Sequence, residues 1–246
     1  MPATTKGQLF FDADKLGSSE NNYVCWIDVM GSKEHLRISP SIASNFIFKL
    51  HIALLESLEK IEDSHQQNLV FYPIMDGAYI TSRTQKSLEL LLCPAMKSLA
   101  NLFIKENNNK HRFMVRGAIA FGPVFHGKNI QEEASKILAR QRNITNKILI
   151  GLPIVQANEA ESKAPPYGIV IHETARAFAP DGENPVTFVW LNWNKGNGSA
   201  RLDSLDEALK SYFSWHRERP NVTGYSLKQI DRHSKLAEEL ISVLRG

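Results

Sequence analysis

The sequence predicts an α+β fold whose elements run βαββαβ, extended at the C-terminal end by one further strand and two helices. A dense run of β-formers, YVCWIDV (23–29), precedes a long apolar stripe at helical spacing. Two short β runs then flank Asp76-Gly77, and a second helix followed by strand-like segments repeats the alternation up to residue 172. No internal repeat or low-complexity segment interrupts the pattern.

Each element has a local reason. YVCWIDV is unbroken in hydrophobicity, as a central strand covered on both faces would be, and Gly31 closes it. Ser39-Pro40 is a helix start, and Ile42, Phe46, Leu50, Leu54, Leu58 and Ile61 recur every three or four residues. LVFYPIMDGAYIT (69–81) reads as a hairpin, its turn placed on Asp76-Gly77 because that dipeptide tolerates positive φ. Leu88, Leu91, Leu92, Ala95, Leu99 and Phe103 define a second helix, which Pro94 is expected to kink or split. FMVRGAIAFGPVFHG (113–127) has strand composition, with Gly122-Pro123 as an internal turn or bulge that could divide it in two. LPIVQANEAES (152–162) is helical in spacing at Ile154, Ala157, Asn158 and Glu161, and YGIVIH (167–172) is another strand. After a loop marked by Asp181, Gly182, Asn184 and Pro185, VTFVWLNW is β-like. Two helices then open on capping boxes, Ser204 to Glu207 and Ser226 to Gln229. The expected division is a polar N-terminal extension (1–22), a main domain (23–178) and a C-terminal β/helical extension (179–246) packed on that domain.

Composition narrows the class. With 246 residues, 43% of them apolar, the chain can bury a substantial core as one domain with additions. A net charge of +3 from 29 Lys and Arg against 26 Asp and Glu argues against a general nucleic-acid grip, while leaving room for an anionic small ligand. Cys25 and Cys93 form neither a disulfide framework nor a zinc spacing, which fits a reducing cytoplasm. MPATTKGQLF lacks the apolar core of a signal peptide, and no unbroken apolar run of about 18 residues is present to span a membrane. The expectation is a cytoplasmic protein.

Asp28 is the oddity in the first strand. Alone it could be a strand-end residue turning the chain toward Gly31, and Asp76 alone could be an ordinary hairpin residue. In a βαβ-hairpin order, however, the first strand and the hairpin can lie side by side, and the two carboxylates then converge. Such a pair repels unless a hard divalent cation such as Mg²⁺ or Mn²⁺ relieves it, and the backbone carbonyl of Val29 is a natural extra ligand. Met30, Gly31, Ser32 and Lys33 follow directly, and exposed amides in a glycine turn next to a lysine suit phosphate oxygens. The implied ligand is metal plus polyphosphate.

These residues resemble the class III nucleotidyl cyclases. Asp28-Val29-Met30-Gly31 looks like the family's first metal motif, Asp76 like its second metal aspartate, and RGAIAFGPVFHG like the strand pair that follows, over about residues 23–172. The resemblance implies a ferredoxin-like βαββαβ domain and two divalent cations, Mn²⁺ or Mg²⁺, held by the paired aspartates. It also implies a head-to-tail homodimer with active sites shared across the interface. Purine-cyclising members carry a transition-state asparagine and an arginine where this chain has Val155 and Glu159. Their purine-selecting lysine falls on Tyr72, and a further polar position on Leu152. The combination of D-V-x-G, an aromatic on the second strand, RGAIA-FG and PPYGI-IHE resembles instead the bacterial pyrimidine cyclases of the Pycsar antiphage systems. That implies conversion of UTP or CTP, with UTP ahead of CTP, to the 3′,5′-cyclic monophosphate and pyrophosphate as a second messenger in antiphage defence.

Roles follow from the resemblance, each beside an ordinary alternative. Asp28 and Asp76 bridge both ions. Arg116 is a fixed cation for a phosphate or a pyrimidine carbonyl, or else one half of a strand-edge ion pair. Tyr72 sets the preference for a pyrimidine by its volume and single hydroxyl, or else is one aromatic of a half-buried strand. His126, His172 and His233 are too scattered for a metal set and suit structural hydrogen bonds, while Asn143 and Asn146 could stand in for the missing asparagine. A cyclase-fold nucleotide-binding sensor or scaffold without turnover is the other class, and retention of both aspartates speaks against it. A palm-type polymerase or diguanylate cyclase shares the two-metal logic, but the GGDEF-like turn of the latter is missing.

Overall fold

The computed structural model describes residues 15–219 and 225–245. Its first half consists of β1 (Glu20–Val29), α1 (Ser32–Ile38), α2 (Pro40–Leu58), α3 (Asp63–Gln66), β2 (Leu69–Ile74), β3 (Gly77–Ser82) and α4 (Gln85–Lys105). The second half has β4 (Val115–His126), α5 (Lys136–Arg140), α6 (Arg142–Thr145), β5 (Leu149–Ile150), α7 (Leu152–Glu161), β6 (Ile169–Ile171), α8 (Glu173–Ala177), α9 (Ala200–Arg217) and α10 (Leu227–Arg245). The result is a mixed structure of helices and a largely antiparallel sheet. The sheet order is β2-β3-β1-β4, with β5 paired to the far end of β4 and β6 running parallel to its near end.

Alternation along β1 sorts its side chains onto two faces. Tyr23, Cys25, Ile27 and Val29 enter the main core, which α2 and α4 cover from one side. Val24 and Trp26 point the other way and pack with Ala120, Val124 and Ala157 beneath α7. Asp28 shares that second face by the period of two. Ser39 caps α2, accepting from the Ile42 amide at 3.4 Å, and Pro40 takes the first helical position. Phe46, Leu50 and Leu54 are then buried along one stripe, each contributing on the order of 1.5–3 kcal/mol.

Several expectations are overturned. Helix α4 is not split at Pro94: it runs as one helix from Gln85 to Lys105 with Pro94 inside it. Pro94 lies on the exposed side, where a helix already opens slightly toward water, while Leu91, Leu92, Ala95 and Met96 hold the opposite side in the core. By length and composition α4 is also apolar enough to cross a membrane, with half of its most apolar window buried inside the protein. It is the central helix of the core, packed against α2 and α9. The Gly122-Pro123 dipeptide does not divide its segment, because β4 pairs with β1 along its length from Val29↔Val115 to Glu20↔Val124.

The C-terminal extension differs more. VTFVWLNW forms no strand and makes one isolated bridge, Val170↔Trp190. Its apolar residues act as anchors instead: Val186, Leu191 and Trp193 are buried, and the Trp193 indole donates to the Tyr167 carbonyl at 2.8 Å. Ser204 caps nothing, since α9 begins at Ala200 and the Ser204 hydroxyl donates to the Ala200 carbonyl at 3.0 Å. The Ser226 box does form. The Gln229 amide donates to Ser226 Oγ and the Ser226 amide to Gln229 Oε1, both at 3.3 Å, opening α10 onto α9.

Candidate active site

Asp28 stands at the end of β1, directly opposite Gly77 on β3 and Arg116 on β4. Gly77 earns its place by close approach. A Cβ there would lie 2.4 Å from the Ile27 carbonyl oxygen and 2.8 Å from the Asp28 Cβ, so only glycine lets the hairpin close against this stretch of β1. The expected Asp76-Gly77 turn is therefore displaced by one residue. The two turn residues are Met75 and Asp76, and the positive φ, 51°, belongs to Met75, while Gly77 has already entered β3. Pairing with β1 sets that register, and the left-handed residue falls where the turn leaves it.

This closure brings in Asp76. Its carbonyl accepts from the Val29 amide at 3.3 Å, and its carboxylate accepts a hydrogen bond from the Ser32 hydroxyl at the start of α1. The hairpin tip is thus tied to both the end of β1 and the turn that follows. On the other side, Arg116 Nε donates to Glu161, the last residue of α7, in a partly buried ion pair. Glu161 lies beside Asp28, and its negative charge disfavours ionisation of the Asp28 carboxyl. Sequence reasoning assigned Glu161 only to a helical stripe. The available signal was an acid on the stripe of α7 that also carries Ala157, since a buried carboxylate needs a partner.

Three carboxyls and one guanidinium therefore meet at the end of the sheet. Burial, then the charges of Glu161 and Asp76, push the Asp28 carboxyl up to about 8, with Arg116 opposing them. Its Oδ1 is buried with no hydrogen-bond partner. A hard cation fits that oxygen: it would relieve the repulsion, and Asp28, Asp76 and the Val29 carbonyl are all oxygen donors. Among the described residues, no group of three or more His, Cys, Asp and Glu side chains stands in metal-binding geometry, so a cation here would rest on two carboxylates and the backbone.

The remaining predicted residues divide. Gly31 is exposed with φ 71° and caps α1, and Lys33 is exposed beside it. The Met30 amide is not open to a phosphate, because it donates to the Met114 carbonyl at 2.8 Å, continuing the β1–β4 pairing by one residue. Tyr72 reaches the same sheet face as Asp28, in the cross-strand row Tyr72–Tyr79–Trp26 next to that of Asp28. It is buried, and its hydroxyl lies 2.6 Å from His126 Nδ1 in a hydrogen bond. His172 and His233 likewise have partners, Thr174 and Tyr225. Asn143 and Asn146 are exposed in and after α6, beyond the opposite end of β4 from Arg116, and are not brought to the carboxylates. Val155 and Glu159 are exposed on the outer side of α7.

No protein-family model matches the chain, and neither does any curated protein. Among solved structures the chain is similar to the catalytic core of a rhodopsin-guanylyl cyclase with converted specificity, in complex with ATPαS. The identity is 13% and the TM-score 0.42, with 64% of this chain and 80% of that chain covered. A likeness of that size carries no argument about the site.

Proposed function

We propose that the protein is a metal-dependent nucleotidyl cyclase, converting UTP or CTP to the 3′,5′-cyclic monophosphate and pyrophosphate. The observation behind this reading is the convergence of Asp28 and Asp76, with one carboxylate oxygen buried and unpartnered. A fold has little reason to keep such a pair without a cation to neutralise it. The strand order β2-β3-β1-β4 supports a ferredoxin-like βαββαβ domain, as the sequence resemblance implies.

Asp28, Asp76 and the Val29 carbonyl would hold two divalent cations, Mn²⁺ or Mg²⁺. When bound, these supply acidification of the ribose 3′-hydroxyl and charge neutralisation on the phosphates. Ser32 orients the Asp76 carboxylate, and Glu161 with Arg116 sets the charge around Asp28. The exposed Gly31 turn and Lys33 are placed for the polyphosphate. Tyr72, held by His126, occupies the base-selecting position of the sequence resemblance and limits the room for a second purine ring. The partner is a second copy of the chain, completing shared sites. Exposed Ile74, Met75, Leu152 and Val155 on the hairpin and α7 offer apolar surface for it. The cellular setting that fits is cytoplasmic antiphage signalling.

Incubation of the purified protein with each of the four NTPs and Mn²⁺, with products identified by mass, tests the reading. Cyclic UMP or cyclic CMP is expected in excess over the purine products. Nucleotide binding without any cyclic product would instead mark a sensor or scaffold.

A further inference from the structure

Helix α2 is apolar on two sides. Phe46, Leu50, Ala53 and Leu54 fill the core from its inner side. On its outer side Phe48, Ile52 and Leu55 are 65%, 52% and 52% exposed, although each is of a type that elsewhere in the chain fills the core. Their spacing of four and then three residues sets them in one line along the helix. A surface helix needs one apolar stripe, the one facing the core, and a second stripe marks a face that something else covers. Because α2 covers the sheet face opposite the one that Asp28 shares, this line belongs neither to the carboxylate site nor to the apolar surface of the hairpin and α7.

The charges beside the line decide what covers it. Lys49 and Glu56 stand about two turns apart on one flank of it. Neither has an ion-pair partner among the described residues, and the Lys49 ammonium lies only over the Phe113 ring, 5.9 Å from its centroid. A second α2 laid antiparallel across the line, with Ile52 on the two-fold axis, meets both needs. Phe48 of each copy then packs against Leu55 of the other, and Lys49 of each stands level with Glu56 of the other on the same flank. A parallel copy would bring Lys49 level with Lys49 and Glu56 level with Glu56, leaving neither paired, and the helix dipoles would oppose it. We propose that the outer face of α2 is a self-complementary interface that docks antiparallel onto the same face of a second copy of the chain. This contact is separate from the shared-site contact, so where both form the assembly is larger than a dimer.

The test reads mass and needs no turnover, so its failure is distinct from failure of the cyclase reading. Sedimentation of the full chain is followed over a range of concentrations, since one helix from each copy gives a contact at or below the roughly 1,200 Å² of small stable interfaces. Ile52→Arg sets two like charges together at the two-fold axis and should halve the mass of the largest assembly, from four chains to two or from two to one. Lys49→Glu and Glu56→Lys should each act in the same direction, because each variant alone places like charges opposite one another. Mixed in equal amounts, these two variants should recover the wild-type mass, because one chain of each kind restores both opposite-charge pairs. The charge variants carry the test even if Ile52→Arg does not fold. A wild type no heavier than Ile52→Arg overturns the proposal and leaves the face to a different protein. A mixture no heavier than its two components overturns it as well.

Discussion

Replacing Asp28 by Asn should stabilise the protein when divalent cations are absent, and the gain should grow with pH. The Asp28 carboxyl is raised from 3.8 to about 8, by burial first and then by Glu161 and Asp76. A carboxyl with a raised folded pKa holds its proton more tightly folded than unfolded. Its stabilisation is therefore fully present below the unfolded value and drains away as pH climbs to about 8. At about 1.4 kcal/mol per pH unit the ceiling is on the order of 5 kcal/mol. The Asn amide stays buried and needs hydrogen-bond partners of its own, so roughly half of that, about 2–3 kcal/mol, is expected from the single substitution. For a chain of this size that corresponds to a rise in Tm of roughly 4–12 °C. Thermal melts of both proteins with chelator, between about pH 5 and about pH 8, would measure the gap, which should be small at the acid end and widest at the alkaline end. Adding Mn²⁺ should raise the wild-type Tm and leave Asp28→Asn nearly unmoved, closing the gap. A gap independent of pH, or an Asn variant that melts below wild type at the alkaline end, would refute the claim that a buried carboxylate is held there at a cost.

Asp28→Asn and Asp76→Asn should each abolish cyclic nucleotide formation while leaving the circular dichroism unchanged; wild-type turnover in either variant removes that residue from the site. Gly77→Ala should destabilise by about 1–3 kcal/mol, because the added Cβ meets the Ile27 carbonyl oxygen at 2.4 Å. An unshifted urea midpoint would show that the hairpin does not need that approach. Tyr72→Ala should narrow the advantage of UTP and CTP over GTP and ATP. Mixed with Asp28→Asn protomers, it should recover part of the lost activity if sites are shared between two copies, whereas an active monomer in sedimentation would exclude sharing.

Local signals read correctly where a short stretch suffices to satisfy them. Ser39-Pro40 starts α2 because a capping hydroxyl and a preset φ act within four residues. Alternation in YVCWIDV places Asp28 on the face opposite the main core whatever the partner strands are. The pairing of Asp28 with Asp76 was likewise legible, since a strand, a crossover helix and a hairpin can close only in a few ways. Other features depend on residues distant in sequence. Which hairpin residue takes positive φ was set by the register of β3 against β1, and it moved to Met75. Pro94 was tolerated because its side of α4 faces outward, and VTFVWLNW stayed a loop because its apolar side chains anchor the core with little strand pairing. Glu161 and His216 show the same dependence most plainly. An acid or an imidazole in a helix has no assigned role until packing removes water from it and chooses its neighbours, and here packing gave Glu161 a partner in Arg116 and left both nitrogens of His216 with none.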